Sequence, residues 1–356
     1  MKKDLVIYHK DCCDGITAAA CMYEKLGENA NYINLTYTQN NLNDFKKKIE
    51  DFKDDIRNVY VVDFLISDEL INYISDKYQS NINIFDHHLS AFKDFIMKDN
   101  VLSKENISNE NLENDRFEII RKLENNNELK YYFDNKFSGA SLIHSILNPN
   151  QEMPLHIKYA EDIDLWHRVI PNSMEYVTAI GYEFFTKHPR DLYNFLNSGN
   201  NYENQVSKIV ENGKNYIMED EKRINILYEN AELCEFLNPI KNKKEKTYII
   251  KVSEDDKKLV SVVCSKLVFK EGNESGYAIS YFDNVENKNI KLSIRGSEEK
   301  GVDVSQIAKE FGGNGHKYAS GFYFENALEM AKFVKSINKN ETENVLSNFK
   351  LKLHIR

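Results

Sequence analysis

Cysteine is scarce in this 356-residue chain: Cys12, Cys13, Cys21, Cys234 and Cys264 are all there are. An odd number without a paired zinc spacing, two of them adjacent, makes a poor disulfide framework, so reduced thiols in a cytoplasmic protein are expected. Long apolar runs free of charge are missing too, and the mean hydropathy of -0.58 excludes a membrane-spanning helix. No apolar core follows Lys2 and Lys3, so no signal peptide is expected. Positive charge is in deficit, with 47 Lys and Arg against 56 Asp and Glu for a net charge of -9. A protein that coats long nucleic acid by electrostatics alone is thereby disfavoured, whereas a local phosphate site is not. Tryptophan occurs once, at Trp166, and is expected to pack in a core or between domains. No repeat of solenoid length stands out.

What is present is ordinary globular material, 41% hydrophobic and 12% aromatic, long enough for two domains. Residues 4–8 form a short apolar run ending in His9-Lys10-Asp11-Cys12-Cys13-Asp14-Gly15, after which helical residues follow. The same grammar returns at residues 59–62, ending at Asp63, and at 82–85, ending at Asp86-His87-His88. Helical spacing lies between these strands, over 42–52 and 67–78, which favours a parallel sheet with right-handed crossovers. In such sheets the ligand crevice lies beyond the carboxyl ends of the strands, so the three polar clusters should meet in one place. A polar stretch over about 99–127 reads as partly helical or as a surface insertion.

The fold expected is therefore α/β, with a parallel-sheet N-terminal domain over 1–190. A helical linker over 191–242 joins it to a smaller α/β domain over 243–340, followed by a tail over 341–356. In the second domain strands are expected at 247–252, 277–281 and 290–294, and helices near 304–311 and 327–337.

Adjacent histidines after an aspartate at a strand end are the sharpest local signal. Imidazole with carboxylate suits Mn²⁺, Fe²⁺, Co²⁺ or Zn²⁺, and a shared carboxylate, here Asp63, can bridge two ions that activate water against phosphorus. The run Gly312-Gly313-Asn314-Gly315-His316 bares its backbone for close approach to an anion, and Arg295 at a strand end could fork a phosphate. Ser138 and Ser141 flank Gly139 at a helix start, where they suit N-capping and could also face phosphate.

In their order these motifs resemble the DHH phosphoesterase superfamily with its DHH-associated C-terminal domain, over about residues 4–324. The resemblance implies two divalent ions, manganese first and Fe²⁺, Co²⁺, Zn²⁺ or Mg²⁺ as alternatives, and an active site in the cleft between domains. It further implies that His9 binds one ion, that Asp14 and His87 bind the other, and that Asp63 bridges. Asp86 would orient an imidazole and His88 would contact the scissile phosphate. Asp162 and Asp164 both fit the fourth carboxylate, with Asp162 preferred. Arg295, His316 and the backbone of Gly312, Gly313 and Gly315 would grip substrate.

One departure matters. Many members place an aspartate two positions before Asp14, where this chain has Cys12, with Asp11 one position off. Either Asp11 binds after a loop shift, or Cys12 binds as a thiolate and favours a softer ion, or the first metal is weakly held. The implied activity is hydrolysis of short oligonucleotides or dinucleotides to nucleoside monophosphates, in a chain that could form a homodimer. The alternatives are a pyrophosphate or polyphosphate phosphohydrolase and a catalytically decayed nucleotide-binding module.

Overall fold

Alternating apolar runs and amphipathic helices build the first half of the chain as two layers of helix around a sheet. The computed structural model describes residues 2–50, 52, 55–97, 116–123, 125–199, 201–284 and 289–336. It divides into two units, Met1–Ile217 and Met218–Arg356.

In the first unit β1 (Lys3–His9), β2 (Ala30–Leu35), β3 (Ile56–Val62), β4 (Asn81–Asp86), β5 (Phe117–Lys122) and β6 (Glu128–Phe133) form one sheet in the order β2-β1-β3-β4-β6-β5. All neighbours are parallel except β5 and β6. The helices are α1 (Cys13–Leu26), α2 (Leu42–Ile49), α3 (Asp68–Tyr78), α4 (Leu89–Ile96), α5 (Gly139–Leu147), α6 (Leu155–Asp164), α7 (Ser173–Glu183), α8 (Pro189–Leu196) and the long α9 (Tyr202–Asn230).

The central strand β1 is buried on both faces, which is why it reads as a continuous apolar run rather than as alternation. Leu5 and Ile7 of β1 enter a core with α2, α3 and α4, whereas Val6 and Tyr8 enter one with α1, α5, α6, α7 and α8. Helix α1 runs inside this second core with Ala18, Ala19 and Ala20 buried, small residues that let neighbouring helices come close. Gly15 is needed for the same reason, because a Cβ there would sit 2.3 Å from the His9 carbonyl oxygen.

The second unit is a seven-stranded sheet in the order β11-β12-β10-β9-β8-β7-β13. Its elements are β7 (Glu232–Asn238), β8 (Lys243–Lys251), α10 (Val260–Leu267), β9 (Tyr277–Asn284), β10 (Asn289–Gly296), α11 (Val304–Glu310), β11 (Asn314–His316), β12 (Ala319–Phe324), α12 (Ala327–Phe333) and β13 (Val334–Ser336). Among the described residues of this unit only β8 and β9 pair in parallel, so it is mixed α/β with a largely antiparallel sheet.

Three expectations about elements need correction. The residues of β7 were expected in a helical linker, yet Cys234, Phe236 and Asn238 are buried with exposed or half-buried residues between them, a period of two. The helix expected over 327–337 stops at Phe333, where the chain turns extended and pairs with the edge of β7. Within the polar stretch over 99–127, residues 117–122 form β5, an antiparallel edge strand that the polar composition hides. Residues 98–115 and the expected tail lie outside the described residues.

Candidate metal centre

Three strand ends deliver the polar groups to one edge of the first sheet. His9 is the last residue of β1, Asp63 follows β3, and Asp86 ends β4 ahead of His87 and His88. Asp63 turns with a left-handed backbone, φ 64°, while its N–H donates to the Phe85 carbonyl at 2.9 Å. Helix starts complete the edge: Asp14 sits in the first turn of α1, and the first turn of α5 closes over it. There Ser138 Oγ donates to Asp14 Oδ1 at 2.5 Å, and the Ala140 N–H donates to the same oxygen at 3.1 Å. Gly139 makes that approach feasible, because a Cβ would lie 2.7 Å from Asp63 Cβ and 2.8 Å from Asp14 Oδ2.

The side chains converge as three overlapping sets of potential ligands: His9, Cys12 and Asp63; Asp63, His87 and His88; and Asp14, His87 and Asp164. Within each set the ligand atoms lie within 4.8 Å of one another. Asp63 belongs to the first two and His87 to the last two. His9 Nδ1 is 3.5 Å from Asp63 Oδ2, and His87 Nε2 is 3.3 Å from Asp63 Oδ1 and 3.2 Å from Asp164 Oδ2.

None of these contacts is aligned as a hydrogen bond. Asp14 Oδ2, both Asp63 oxygens, His87 Nε2 and Asp164 Oδ2 are buried without hydrogen-bond partners. Burying such groups unpaired costs several kcal/mol apiece, on the order of magnitude found for isolated buried ions. A divalent cation would satisfy all of them, so the donor set fits a metal.

The electrostatics agree. Burial raises the Asp14 carboxyl well above its usual range, and the neighbouring Asp63 and Asp164 raise it further. Burial alone would lower the His87 imidazole, but Asp63, Asp14 and Asp164 outweigh it and push it up to about 10. For Asp63 burial is likewise outweighed, here by His87 and His9, and its carboxyl falls below the usual range. The Cys12 thiol is pushed well up by burial and then by Asp63 and Asp14, so a thiolate there requires a nearby cation.

The second layer is ordered as a histidine site requires. Asp86 Oδ1 lies 2.6 Å from His88 Nδ1, and Asp86 Oδ2 accepts from the Tyr131 hydroxyl at 2.7 Å. His88 is a third exposed, whereas His87 is nearly enclosed.

Several expectations change here. Asp162 is not beside the centre's imidazoles. Its carboxylate accepts from the Val169 N–H at 2.9 Å, the Ile170 N–H at 3.3 Å and Ser173 Oγ at 2.6 Å, which occupies it fully. Two residues later on α6, Asp164 reaches His87 instead. Asp11 is also corrected: its left-handed backbone leaves the side chain exposed near Lys10, whereas Cys12 faces His9 and Asp63. Ser138 and Ser141 are fully buried and bonded to Asp14 and to each other, so they brace the centre and cannot touch substrate. Trp166 is no core residue, being 72% exposed. Tyr37 escaped notice in the sequence, yet its ring lies 5.0 Å from His9 and 6.4 Å from His88. Only the pairing of β2 beside β1 brings it there. The glycine at 139 was a readable signal, since a glycine opening an apolar helix hints at close approach.

In the second unit Arg295, Gly312, Gly313, Asn314, Lys291 and Tyr323 line a concave surface of about 440 Å³. His316 is not among its lining residues; it lies exposed on β11, where its carbonyl accepts from Ser320 Oγ. Part of the glycine content is structural, because a Cβ on Gly313 would sit 2.2 Å from the Gly321 carbonyl oxygen.

The DHHA1 domain model matches residues 245–343. A solved structure described as the DHH domain of a member of a family of ribosomal proteins shares the fold, with a TM-score of 0.50 at 12% identity over 99% of this chain and 86% of that one. Residues 245–343 thus match a DHHA1 domain, and the fold is shared with a solved DHH domain. A manganese-bound RecJ exonuclease resembles this chain with a TM-score of 0.48 at 12% identity, over 92% of this chain and 88% of that one. An uncharacterized protein of Acanthamoeba polyphaga mimivirus is 24% identical over 352 residues, covering 93% of this chain and 70% of its own length.

Proposed function

We propose that this protein is a DHH-type, divalent-metal-dependent phosphodiesterase that cleaves short oligonucleotides or dinucleotides to nucleoside monophosphates. The observation that carries the reading is the convergence of buried, unpaired ligand atoms from Asp14, Asp63, His87 and Asp164 beside His9, Cys12 and His88. His9, Cys12 and Asp63 would hold one ion, and Asp14, His87 and Asp164 a second, with Asp63 shared. Bound there, divalent ions, manganese by first choice, would supply Lewis acidity that lowers the pKa of water and neutralises charge on a phosphoryl group.

The chain's own residues supply position and charge. Asp86 fixes the His88 ring through Nδ1, and burial, which would lower that imidazole, is outweighed by Asp86, so its pKa is raised. A partly exposed imidazole held in one orientation is suited to stabilise developing negative charge on a phosphate oxygen. Ser138 and the Ala140 N–H hold Asp14 in one orientation. Arg295 and the bare backbone around Gly312 and Gly313 line one concave surface of the second unit, whose chemistry would suit a phosphate. With a net charge of -9, a short substrate held by a small number of contacts suits the chain better than long nucleic acid bound processively.

The test is Mn²⁺-dependent release of nucleoside monophosphate from a linear RNA dinucleotide, run beside pyrophosphate and beside His88→Ala. Dinucleotide cleavage that collapses in the variant is expected. Turnover of pyrophosphate alone would replace the reading by a phosphoanhydride hydrolase, and metal binding without turnover of either by a nucleotide-binding module.

A further inference from the structure

The loop after α6 displays the single tryptophan of the chain. Trp166 is 72% exposed, although an indole is the largest apolar surface a side chain can bury. Its backbone is left-handed at φ 59°, and that of Arg168 at φ 53°, a conformation that bulky residues rarely adopt. The loop is nevertheless tightly strapped. The buried Asp162 carboxylate binds the Val169 and Ile170 N–H groups and Ser173 Oγ, its carbonyl accepts the Arg168 N–H at 3.1 Å, and the Ile163 carbonyl accepts the Trp166 N–H at 3.1 Å. Strain retained by such a clamp marks a surface held for display.

What is displayed is a stacked pair. The Arg168 guanidinium lies 4.0 Å from the Trp166 ring centroid, over one face of the indole. Both residues are exposed, and among the described residues no carboxylate pairs with Arg168. The pair is tethered to the metal centre, because Asp164, whose carboxylate reaches His87, lies two residues before Trp166. Two residues span at most about 7 Å of chain.

We infer that the open face of Trp166 is a stacking platform for a nucleobase of the substrate, with Arg168 fixing the indole from the other face. This rests on the phosphodiesterase reading and adds base recognition beside the reacting phosphate. Stacking on one ring accepts any base, since every base has a π face. The platform therefore selects nucleotides over pyrophosphate and sugar phosphates without selecting a sequence.

Because Trp166 is the only indole, it reports on itself. The full-length His88→Ala chain with Mg²⁺ is titrated with the adenine dinucleotide pApA and with the same backbone lacking both bases, following tryptophan emission and, in parallel, heat of binding. Emission of the free chain at the wavelength of a hydrated indole is expected. Saturable quenching by pApA but not by the abasic ligand should follow. Trp166→Ala should weaken pApA binding roughly ten-fold or more, the scale of one lost base stack. Trp166→Phe should restore most of it, and the abasic ligand should bind both variants like the parent. Calorimetric binding of pApA with unchanged emission overturns the platform alone. Absence of pApA binding overturns the platform and the dinucleotide reading together. Blue-shifted emission in the free chain would mean that protein covers the ring, and would also overturn the platform.

Discussion

Replacing Gly139 by alanine separates the demands of the helix from those of the metal centre. On helix propensity alone the change favours folding, since alanine exceeds glycine by up to about 1 kcal/mol in a helix. In this chain the new methyl would lie 2.7 Å from Asp63 Cβ, 2.8 Å from Asp14 Oδ2 and 3.0 Å from Asp63 Cα. Carbon atoms prefer roughly 3.5 to 4 Å, so α5 and the two carboxylates must separate by about 1 Å. Overpacking of this kind costs roughly 1 to 3 kcal/mol, which the helical gain partly offsets, leaving a loss of up to about 2 kcal/mol. A metal site tolerates only about 0.2 Å in its ligand distances, so the functional loss should be the larger. Mn²⁺ affinity is expected to fall roughly 10- to 100-fold, as for lesions of residues that orient ligands. Isothermal calorimetry with Mn²⁺, beside thermal melts of the metal-free chain, measures both quantities. Unchanged Mn²⁺ affinity in a folded Gly139→Ala chain would refute the argument that this glycine shapes the centre.

The two aspartates of α6 should part company. Asp164→Asn is expected to lose Mn²⁺ affinity with little change in melting temperature, whereas Asp162→Asn should melt earlier by the loss of charge-assisted bonds worth about 1.5 to 3 kcal/mol each. Calorimetry and melting of both variants check the assignment. Burial, and then His144, depress the His156 imidazole to about 3, and its Nδ1 lies 2.7 Å from the Tyr202 hydroxyl. The unfolded chain protonates this histidine near pH 6.5 while the folded chain does not, so its stabilising contribution is present above that pH and lost as pH falls toward 3. His156→Gln should give a flatter stability profile over pH 6.5 to 4 in urea titrations. Arg295→Ala is expected to raise KM for a dinucleotide with kcat nearly unchanged, in steady-state assays, because its proposed part is uniform grip.

The sequence by itself determined the strand endings and their chemistry. His9, Asp63 and Asp86-His87-His88 each close an apolar run, and a parallel sheet places all such endings at one edge, so their meeting follows from periodicity alone. The glycines at 312 and 313 and Arg295 were legible in the same local way, and they do line one surface. Tertiary structure decided what local pattern leaves degenerate. Asp162 and Asp164 stand two apart on one helix and differ only in which way the helix faces. Asp11 and Cys12 differ by the sign of one backbone angle. Edge strands such as β5 and β13 are chosen by the partner that needs pairing, not by their own composition. The exposure of Trp166 was equally invisible, because the clamp that turns the indole outward is built by Asp162, a residue whose carboxylate the sequence alone would have spent on a metal. Side-chain direction at a helix end is set by what packs around it, and that packing exists only once the chain has folded.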